Sequence, residues 1–388
     1  MPFSAFDRKF MARALRLAER GAYSTTPNPR VGCVIVRDDR IVGEGWHRFA
    51  GGPHAEIEAL GSADDARGAT VYVTLEPCAH HGRTPPCKDA LISAGVSRVV
   101  AAMRDPNPEV AGRGMSALLE AGIAVECGLM EAEANTLNRG FVSRMTRGRP
   151  WVRIKAAASL DGKTALVGGE SRWITGEDAR LDGRRWRARA CAILTGVGTV
   201  EKDDPRLDVR GVKTQRPPLK IVADSSLSTS PDARIFDGGK VVIVAAVEER
   251  ETIRKARALE KSGAEILFLP GTRGRVDLAE LMRELARRHI NELHVEAGAR
   301  LNGALLEAGL ADELLLYLAP CVIGDVARGV FGLPAIEALD EKKRLRIDDT
   351  RRIGDDLRVR ARFIRDQETG DRYQETENSC GLRSEKNL

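Results

Sequence analysis

Strand-like and helix-like segments alternate along this chain in two series, parted by the polar break Arg147-Gly148-Arg149-Pro150. That alternation confines each series to a layered α/β fold, with helices covering a sheet. The first series opens with a helix. Phe6, Phe10, Met11, Ala14, Leu17 and Ala18 recur at helical spacing, Ser4 and Asp7 resemble a capping box, and Gly21 can end the helix. VGCVIVR and IVGEGWH flank Asp38-Asp39-Arg40 and predict a hairpin. Helices are expected near 54–60, 87–94, 112–121 and 131–145, with the strands ATVYVTL, VSRVVAAM and IAVECGL between them. The residue before Pro150 disfavours helix, so the break ends the first series. In the second, WVRIKAAAS, CAILTGV, LKIVAD, KVVIVAAV, EILFLP, ELHVEAG and ELLLYLAPCVIG read as strands. Helices near 177–190, 248–262, 277–289 and 300–308 separate them. RLRIDDTRRI and DLRVRARFI form a terminal hairpin around Gly354-Asp355. The expected domains are 1–147 and 148–366, followed by a polar tail, 367–388, expected to be disordered.

Composition narrows the class. Apolar residues are 43% and charged residues 30%, which excludes collagen, coiled coil or disorder for the whole chain. The net charge, 61 − 56 = +5, is spread out. Nucleic acid would call for a clustered basic face, so none is expected as a partner. No apolar run reaches the ~18 residues of a membrane span. The charged N-terminal stretch lacks a signal-peptide core, so a cytoplasmic protein with reduced thiols is expected. Cys33, Cys78, Cys87, Cys127, Cys191, Cys321 and Cys380 are scattered, and only one pair is close. A close Cys pair with nearby His reads as metal or redox chemistry.

The sharpest constellation is His54-Ala55-Glu56, then Pro77-Cys78, then Cys87. It resembles the H-x-E and P-C signature of zinc deaminases. A catalytic zinc takes three nitrogen and sulfur ligands and leaves one position for water, and His54, Cys78 and Cys87 would be those three. The metal lowers the water's pKa, and Glu56 would move protons among water, ring nitrogen and ammonia. A closed structural zinc is the alternative, with His80, His81 or Cys33 as fourth ligand. A nucleoside or tRNA-base deaminase with an unrelated C-terminal domain is another. Eight residues separate the two cysteines, where the common deaminase pattern has two.

That insert, Pro77-Cys78-Ala79-His80-His81-Gly82-Arg83-Thr84-Pro85-Pro86-Cys87, is distinctive. With Thr26-Pro27-Asn28-Pro29-Arg30-Val31-Gly32 and Gly45-Trp46-His47, it closely resembles the bifunctional riboflavin-biosynthesis deaminase–reductase family. The resemblance runs through about residue 363. It implies a cytidine-deaminase-like three-layer domain followed by a dihydrofolate-reductase-like domain. It also implies zinc and NADPH as cofactors, small phosphorylated pyrimidines as substrates, and a homo-oligomer. The implied first reaction is deamination of 2,5-diamino-6-(5-phosphoribosylamino)pyrimidin-4(3H)-one. Asn28, His47, Arg83 and Asn107 match positions implied to line the deaminase pocket. Asn suits a pyrimidine edge, and Arg83 can meet a phosphate bidentately.

The second series lacks a full G-x-G-x-x-G, and Gly196-Val197-Gly198-Thr199 is only a fragment. It resembles instead the reductase half of the same family, through Lys155 to Lys163, Glu170 to Thr175, Leu194 to Thr199, Asp203 to Leu207 and Val295 to Leu301. By that resemblance Ala158, Trp173, Thr199, Asp203 and Ser225 hold NADPH, with Gly298, Ala299, Arg300, Leu301, Asn302, Gly303 and Ala304. The Gly-rich turns suit the approach of backbone N–H groups to phosphate. Ala297 stands where many members of the family are expected to carry a second Gly. Lys155, Ser171, Arg187, Leu207, Arg210 and Glu296 match implied substrate positions, with Arg187 and Arg210 as phosphate clamps and Lys155 facing the carbonyl. The implied reaction reduces the ribosyl C1′ and opens the ring to a ribityl chain.

Overall fold

The capping box forms as read. Ser4 Oγ accepts from the Asp7 N–H, and the Asp7 carboxylate accepts from the Ser4 N–H. Two donors left over at the start of α1 (Ala5–Glu19) are thereby paired. The computed structural model describes residues 3–79, 85–108, 110–214, 216–247 and 249–365. The chain divides into two compact units between Arg147 and Gly148.

In the first unit β1 (Gly32–Arg37), β2 (Arg40–Trp46), β3 (Thr70–Val73), β4 (Arg98–Ala101) and β5 (Ala124–Cys127) form one sheet, ordered β2-β1-β3-β4-β5. β1 runs antiparallel to β2 and β3, while β3, β4 and β5 are parallel. Alternate strand residues face opposite layers. Cys33, Ile35, Val71, Val73 and Val99 pack against α2 (Ala55–Gly61), α3 (Cys87–Ser93) and α4 (Arg113–Glu120). Val34, Val36, Tyr72 and Val100 pack against α1, α5 (Glu131–Leu137) and α6 (Arg139–Arg147). Each fully buried Val, Ile or Leu contributes about 1.5–3 kcal/mol. The result is the expected three-layer architecture. One expected helix, 131–145, is instead two. Asn138 parts them, because its buried amide is drawn to the Arg30 C=O and N–H at 2.9 and 2.8 Å.

Asp7 also accepts from Tyr72 and Arg98, both at 2.7 Å. Burial alone would raise its carboxyl, but the hydrogen bonds from Arg98, Tyr72 and Ser4 hold it well below the usual range. Asp7→Asn is therefore expected to cost about 1–3 kcal/mol of stability at pH 7. A depressed folded-state value stabilises above the unfolded value, about 4, and the contribution is lost as pH falls toward the folded one. Urea denaturation at pH 7 and pH 3 should show the gap between variant and wild type narrowing in acid.

In the second unit the strands are β6 (Trp151–Ser159), β7 (Lys163–Ala165), β8 (Ala192–Gly196), β9 (Leu219–Ala223), β10 (Val241–Ala245) and β11 (Ala264–Phe268). They continue with β12 (Glu292–Val295), β13 (Glu313–Ala319), β14 (Arg328–Gly329), β15 (Leu345–Ile353) and β16 (Asp356–Phe363). Nine of them form a sheet ordered β11-β10-β9-β8-β12-β6-β13-β16-β15, parallel as far as β13 and antiparallel beyond. The helices are α7 (Glu177–Arg189), α8 (Val197–Asp203), α9 (Arg250–Lys261), α10 (Leu278–Arg287) and α11 (Ala299–Glu307). The short β7, α8 and β14 carry too few residues to show a period, and the sequence did not reveal them. Strand order reverses around β8, β12 and β6, where open α/β sheets hold their ligands.

One face of that centre is apolar: Val152, Ile154, Leu194, Leu293 and Val295 meet α10 and α11. The opposite face is ionic. Arg153 Nε lies 3.1 Å from Glu313 and Nη1 lies 3.2 Å from Glu292, with its guanidinium 4.6 Å from the Trp186 ring centroid. Among the described residues, no helix is long and apolar enough to cross a membrane.

Candidate active sites

Two glycines set the first site against the sheet. A Cβ on Gly45 would lie 2.4 Å from the Ala59 nitrogen, and one on Gly43 would lie 2.3 Å from the Ala59 oxygen. Only glycine lets α2 press onto β2 this closely, which fixes the depth at which α2 begins. His54 is the N-cap of α2, and Glu56 lies buried in its first turn. Cys87 opens α3, and Cys78 lies in the loop after β3. The ligand atoms of His54, Cys78 and Cys87 all lie within 4.8 Å of one another. His54 Nδ1 is 3.2 Å from the Cys87 sulfur and 3.5 Å from the Cys78 sulfur.

The electrostatics suit a cation. A hydrogen bond from the Cys87 thiol holds Cys78 well below the usual thiol range, against its burial, and His54 and the Cys87 N–H assist. The same shared proton pushes Cys87 up. Burial pushes the Glu56 carboxyl up to about 7, opposed by the charge of His54. Cys33 lies inside β1, buried in the apolar core.

Asn28 and His47 join this group. The His47 ring stands edge-on to His54, centroids 5.5 Å apart. Its Nδ1 is 2.9 Å from the Pro53 carbonyl, which can only accept, so Nδ1 carries the proton. Nε2 then accepts from the Asn28 amide at 3.0 Å. Burial lowers the His47 pKa and keeps it neutral. Asn107 lies half-buried in the loop after β4, where its N–H donates to Asp105. Arg83, His80 and His81 lie outside the described residues.

Glu76 went unnoticed in the sequence. Its buried carboxylate accepts from the N–H groups of Asp105, Gly112, Gly114 and Met115, at 2.9–3.3 Å. It ties the Pro77-Cys78 turn to the loop that carries Asn107. An acid ending the apolar run VYVTL was the available signal.

In the second unit Lys155, Arg187 and Glu296 come together. Arg187 grips Glu296 with two hydrogen bonds, 2.8 and 2.9 Å, and donates a third to the Asp208 carbonyl at 2.6 Å. The sequence suggested Arg187 as a phosphate clamp, but the structure gives these donors to Glu296 and the backbone. Burial would raise Glu296, yet Arg187, His294 and Lys155 hold it well below the carboxylate range. Burial lowers Lys155, with Glu296 opposing. Arg210 Nε, on an exposed side chain, lies 2.9 Å from Asp208. Leu207 is buried in a left-handed conformation, and Ser171 is half-buried in a separate segment.

The expected cofactor segments lie at the ends of adjacent strands. Gly196 caps α8 after β8, and Gly298 caps α11 just beyond β12. A Cβ on Gly198 or Gly298 would meet nothing within 4 Å, so both turns have room beside them. Leu301 approaches Gly196, and Thr199 and Ala304 are half-buried nearby in sequence. Arg172 donates to the Asp203 carbonyl, while Trp173 is 72% exposed beneath the Arg180 guanidinium. Ala158 is buried in β6, Ser225 follows β9, Ala299 accepts from Gly332 and Arg300 is exposed. Asn302 and Gly303 turn inward. The Asn302 amide donates to the Ala297 and Val330 carbonyls, and a Cβ on Gly303 would lie 2.2 Å from the Gly332 oxygen. Both therefore hold α11 against the 330–332 segment.

Comparison with known proteins covers both halves. Residues 4–103 match the cytidine and deoxycytidylate deaminase zinc-binding region, and residues 150–359 match the RibD C-terminal domain. The riboflavin biosynthesis protein RibD of Escherichia coli is 49% identical over 366 residues, covering 90% of this chain and 98% of that protein. The Haemophilus influenzae RibD is 46% identical over 372 residues, covering 92% and 98%. Acinetobacter baumannii RibD matches with a TM-score of 0.85 at 41% identity, over 93% of this chain and 99% of that one. A Thermotoga maritima diaminohydroxyphosphoribosylaminopyrimidine deaminase/5-amino-6-(5-phosphoribosylamino)uracil reductase matches at 0.82 and 34% identity, over 92% and 99%. A lone deaminase with an unrelated second domain is thereby set aside. With both halves matched along nearly the full length of these relatives, the chain belongs to the RibD family of riboflavin-biosynthesis enzymes, which join a deaminase to a reductase.

Proposed function

We propose that the first unit deaminates 2,5-diamino-6-(5-phosphoribosylamino)pyrimidin-4(3H)-one, and that the second reduces the resulting 5-amino-6-(5-phosphoribosylamino)uracil with NADPH. The observation that carries this reading is the His54, Cys78 and Cys87 triad with buried Glu56 in the adjoining helical turn. One imidazole nitrogen and two sulfurs, one of them with its thiol pKa lowered, are a donor set that fits zinc. When bound, zinc supplies the Lewis acidity that makes a water nucleophilic near neutral pH. Glu56 serves as the proton carrier. The water oxygen bonds to ring carbon C2, Glu56 passes one water proton to the ring nitrogen and the other to the leaving amine, and the C2–N bond breaks to leave the C2 carbonyl and ammonia. His47 Nε2 accepts from the Asn28 amide N–H, and this bond orients Asn28 for the pyrimidine edge. Asn107 completes the pocket, and Arg83 takes the phosphate.

In the reductase, NADPH when bound supplies the hydride for C1′. The open turns at Gly198 and Gly298 suit its close approach. Lys155 and Glu296 hold and move the proton at the ribosyl oxygen, and Arg187 orients Glu296. The phosphate falls to Arg210, the more exposed arginine. The reading extends to a cytoplasmic homo-oligomer. β15 ends the sheet order, and Ile347 on it is 63% exposed, so the edge suits a second copy.

The test follows ammonia release and NADPH oxidation together. Ammonia should appear without NADPH, and oxidation only with pyrimidine present. Removing zinc with a chelator should abolish ammonia release yet leave oxidation intact when the aminouracil is supplied directly. Ammonia release that survives in protein shown to be metal-free would overturn the zinc assignment. Oxidation with NADH but not NADPH would overturn the choice of coenzyme.

A further inference from the structure

Period-two alternation along β12 sends Leu293 and Val295 into the apolar core. Glu292 and His294 face the other way, and Glu296 follows two residues on. α7 packs against β12, and Glu292 and His294 are both buried, so this polar face is covered as well. The His294 side chain is fully buried. Neither ring nitrogen has a well-aligned hydrogen-bond partner among the described residues. Nε2 nevertheless lies 3.4 Å from Glu296 Oε1, so a small carboxylate shift completes the bond. A buried imidazole with no partner costs free energy that a plain apolar side chain would avoid.

The groups facing Glu296 are few. Arg187 comes from α7, Lys155 from β6 and His294 from β12. Tyr317 on β13 adds a hydroxyl committed to Asp182 at 2.7 Å. Arg153 pairs with His294 across the β6–β12 register, and its guanidinium is spent on Glu292 and Glu313. Asp208 lies beyond Arg187. Arg187 is thus the close, well-aligned donor to Glu296, and His294 is aimed at the same carboxylate from 3.4 Å.

We propose that His294 is a positioning residue for the reductase, its Nε2–H donating to the Glu296 carboxylate and holding it toward Lys155 and the substrate. This rests on the reading that Glu296 acts in the reductase. The neutral ring fits the role: burial lowers the His294 pKa, and nearby Arg153 and Arg187 disfavour its charged form, although Glu296 opposes both effects. A neutral imidazole has one N–H, and a carboxylate neighbour requires it on Nε2.

His294→Phe keeps the ring and removes the donor, whereas His294→Gln keeps a donor. Glu296 stripped of a donor should protonate more easily. The acid limb of the reductase pH profile in His294→Phe should therefore move up by about one unit, with kcat falling about tenfold and ammonia release unaffected. His294→Gln should restore most of both. A wild-type profile in His294→Phe, or equal losses in both variants with an unmoved profile, would overturn the proposal. Nitrogen NMR of labelled histidine in the wild-type protein tests it without turnover. The ring signal missing from His294→Phe should report the Nε2–H tautomer and shift in Glu296→Gln. The Nδ1–H tautomer would overturn the proposal even if the reductase reading stands. Absence of any NADPH oxidation by wild-type protein would count instead against that reading.

Discussion

Glu56→Gln should abolish ammonia release while zinc stays bound and NADPH oxidation of the aminouracil continues. Gln matches Glu in shape, so α2 and its N-cap His54 are undisturbed, and His54, Cys78 and Cys87 remain as ligands. What is lost is a group able to take up a proton and release it. Burial has moved the Glu56 carboxyl to about 7, where either form is accessible near neutral pH. Proton transfer by a positioned side chain is worth about 10²–10⁴-fold, and the loss in kcat should be at least that large. Metal analysis beside the ammonia assay separates the possibilities. Full deamination by the variant would remove Glu56 from the reaction, and loss of zinc would make its role structural.

The largest expected change in stability comes from Arg153→Met. Arg153 is fully buried between Glu292 and Glu313, each at most 2% exposed, and stacks on Trp186. Removing the cation alone strips two buried carboxylates of a shared partner. Breaking a buried pair this way costs about 3–5 kcal/mol. Arg189 still reaches Glu292 at 3.1 Å, and the Trp151 N–H still reaches Glu313 at 2.9 Å. Those contacts place the expectation at the lower end of the range. Denaturant unfolding followed by tryptophan emission is well suited, because Trp151 and Trp186 both touch the cluster. An unchanged midpoint would show that water or Arg189 compensates the two acids.

Local order was legible because it is written in short periods. The helical stripe of α1, its capping box, the Asp38-Asp39 hairpin and the Gly354-Asp355 hairpin each depend on residues a few positions apart. The His54, Cys78 and Cys87 cluster was legible for a chemical reason: few arrangements other than a metal site join H-x-E to a P-C turn. Legibility failed where the deciding partner is distant. Asn138 breaks a helix because Arg30, 108 residues away, offers it two backbone groups. Arg187 sits in an arginine-rich helix that could have been a solvated face, and its commitment to Glu296 spans 109 residues. The alternation of Glu292, His294 and Glu296 was visible, but its meaning depended on β12 being central rather than at an edge.

By itself the sequence determined the two α/β series, the His54, Cys78 and Cys87 constellation and the family. These follow from residue type and near spacing, which each segment carries with it. Only the tertiary structure decided how the buried acids and bases of the second unit are shared. It gave Arg187 to Glu296, set His294 3.4 Å from the same carboxylate, and turned Asn302 and Gly303 inward. The physical reason is that a buried charge takes whichever partner the packing of separate strands and helices brings within about 3 Å, and no local period encodes that choice.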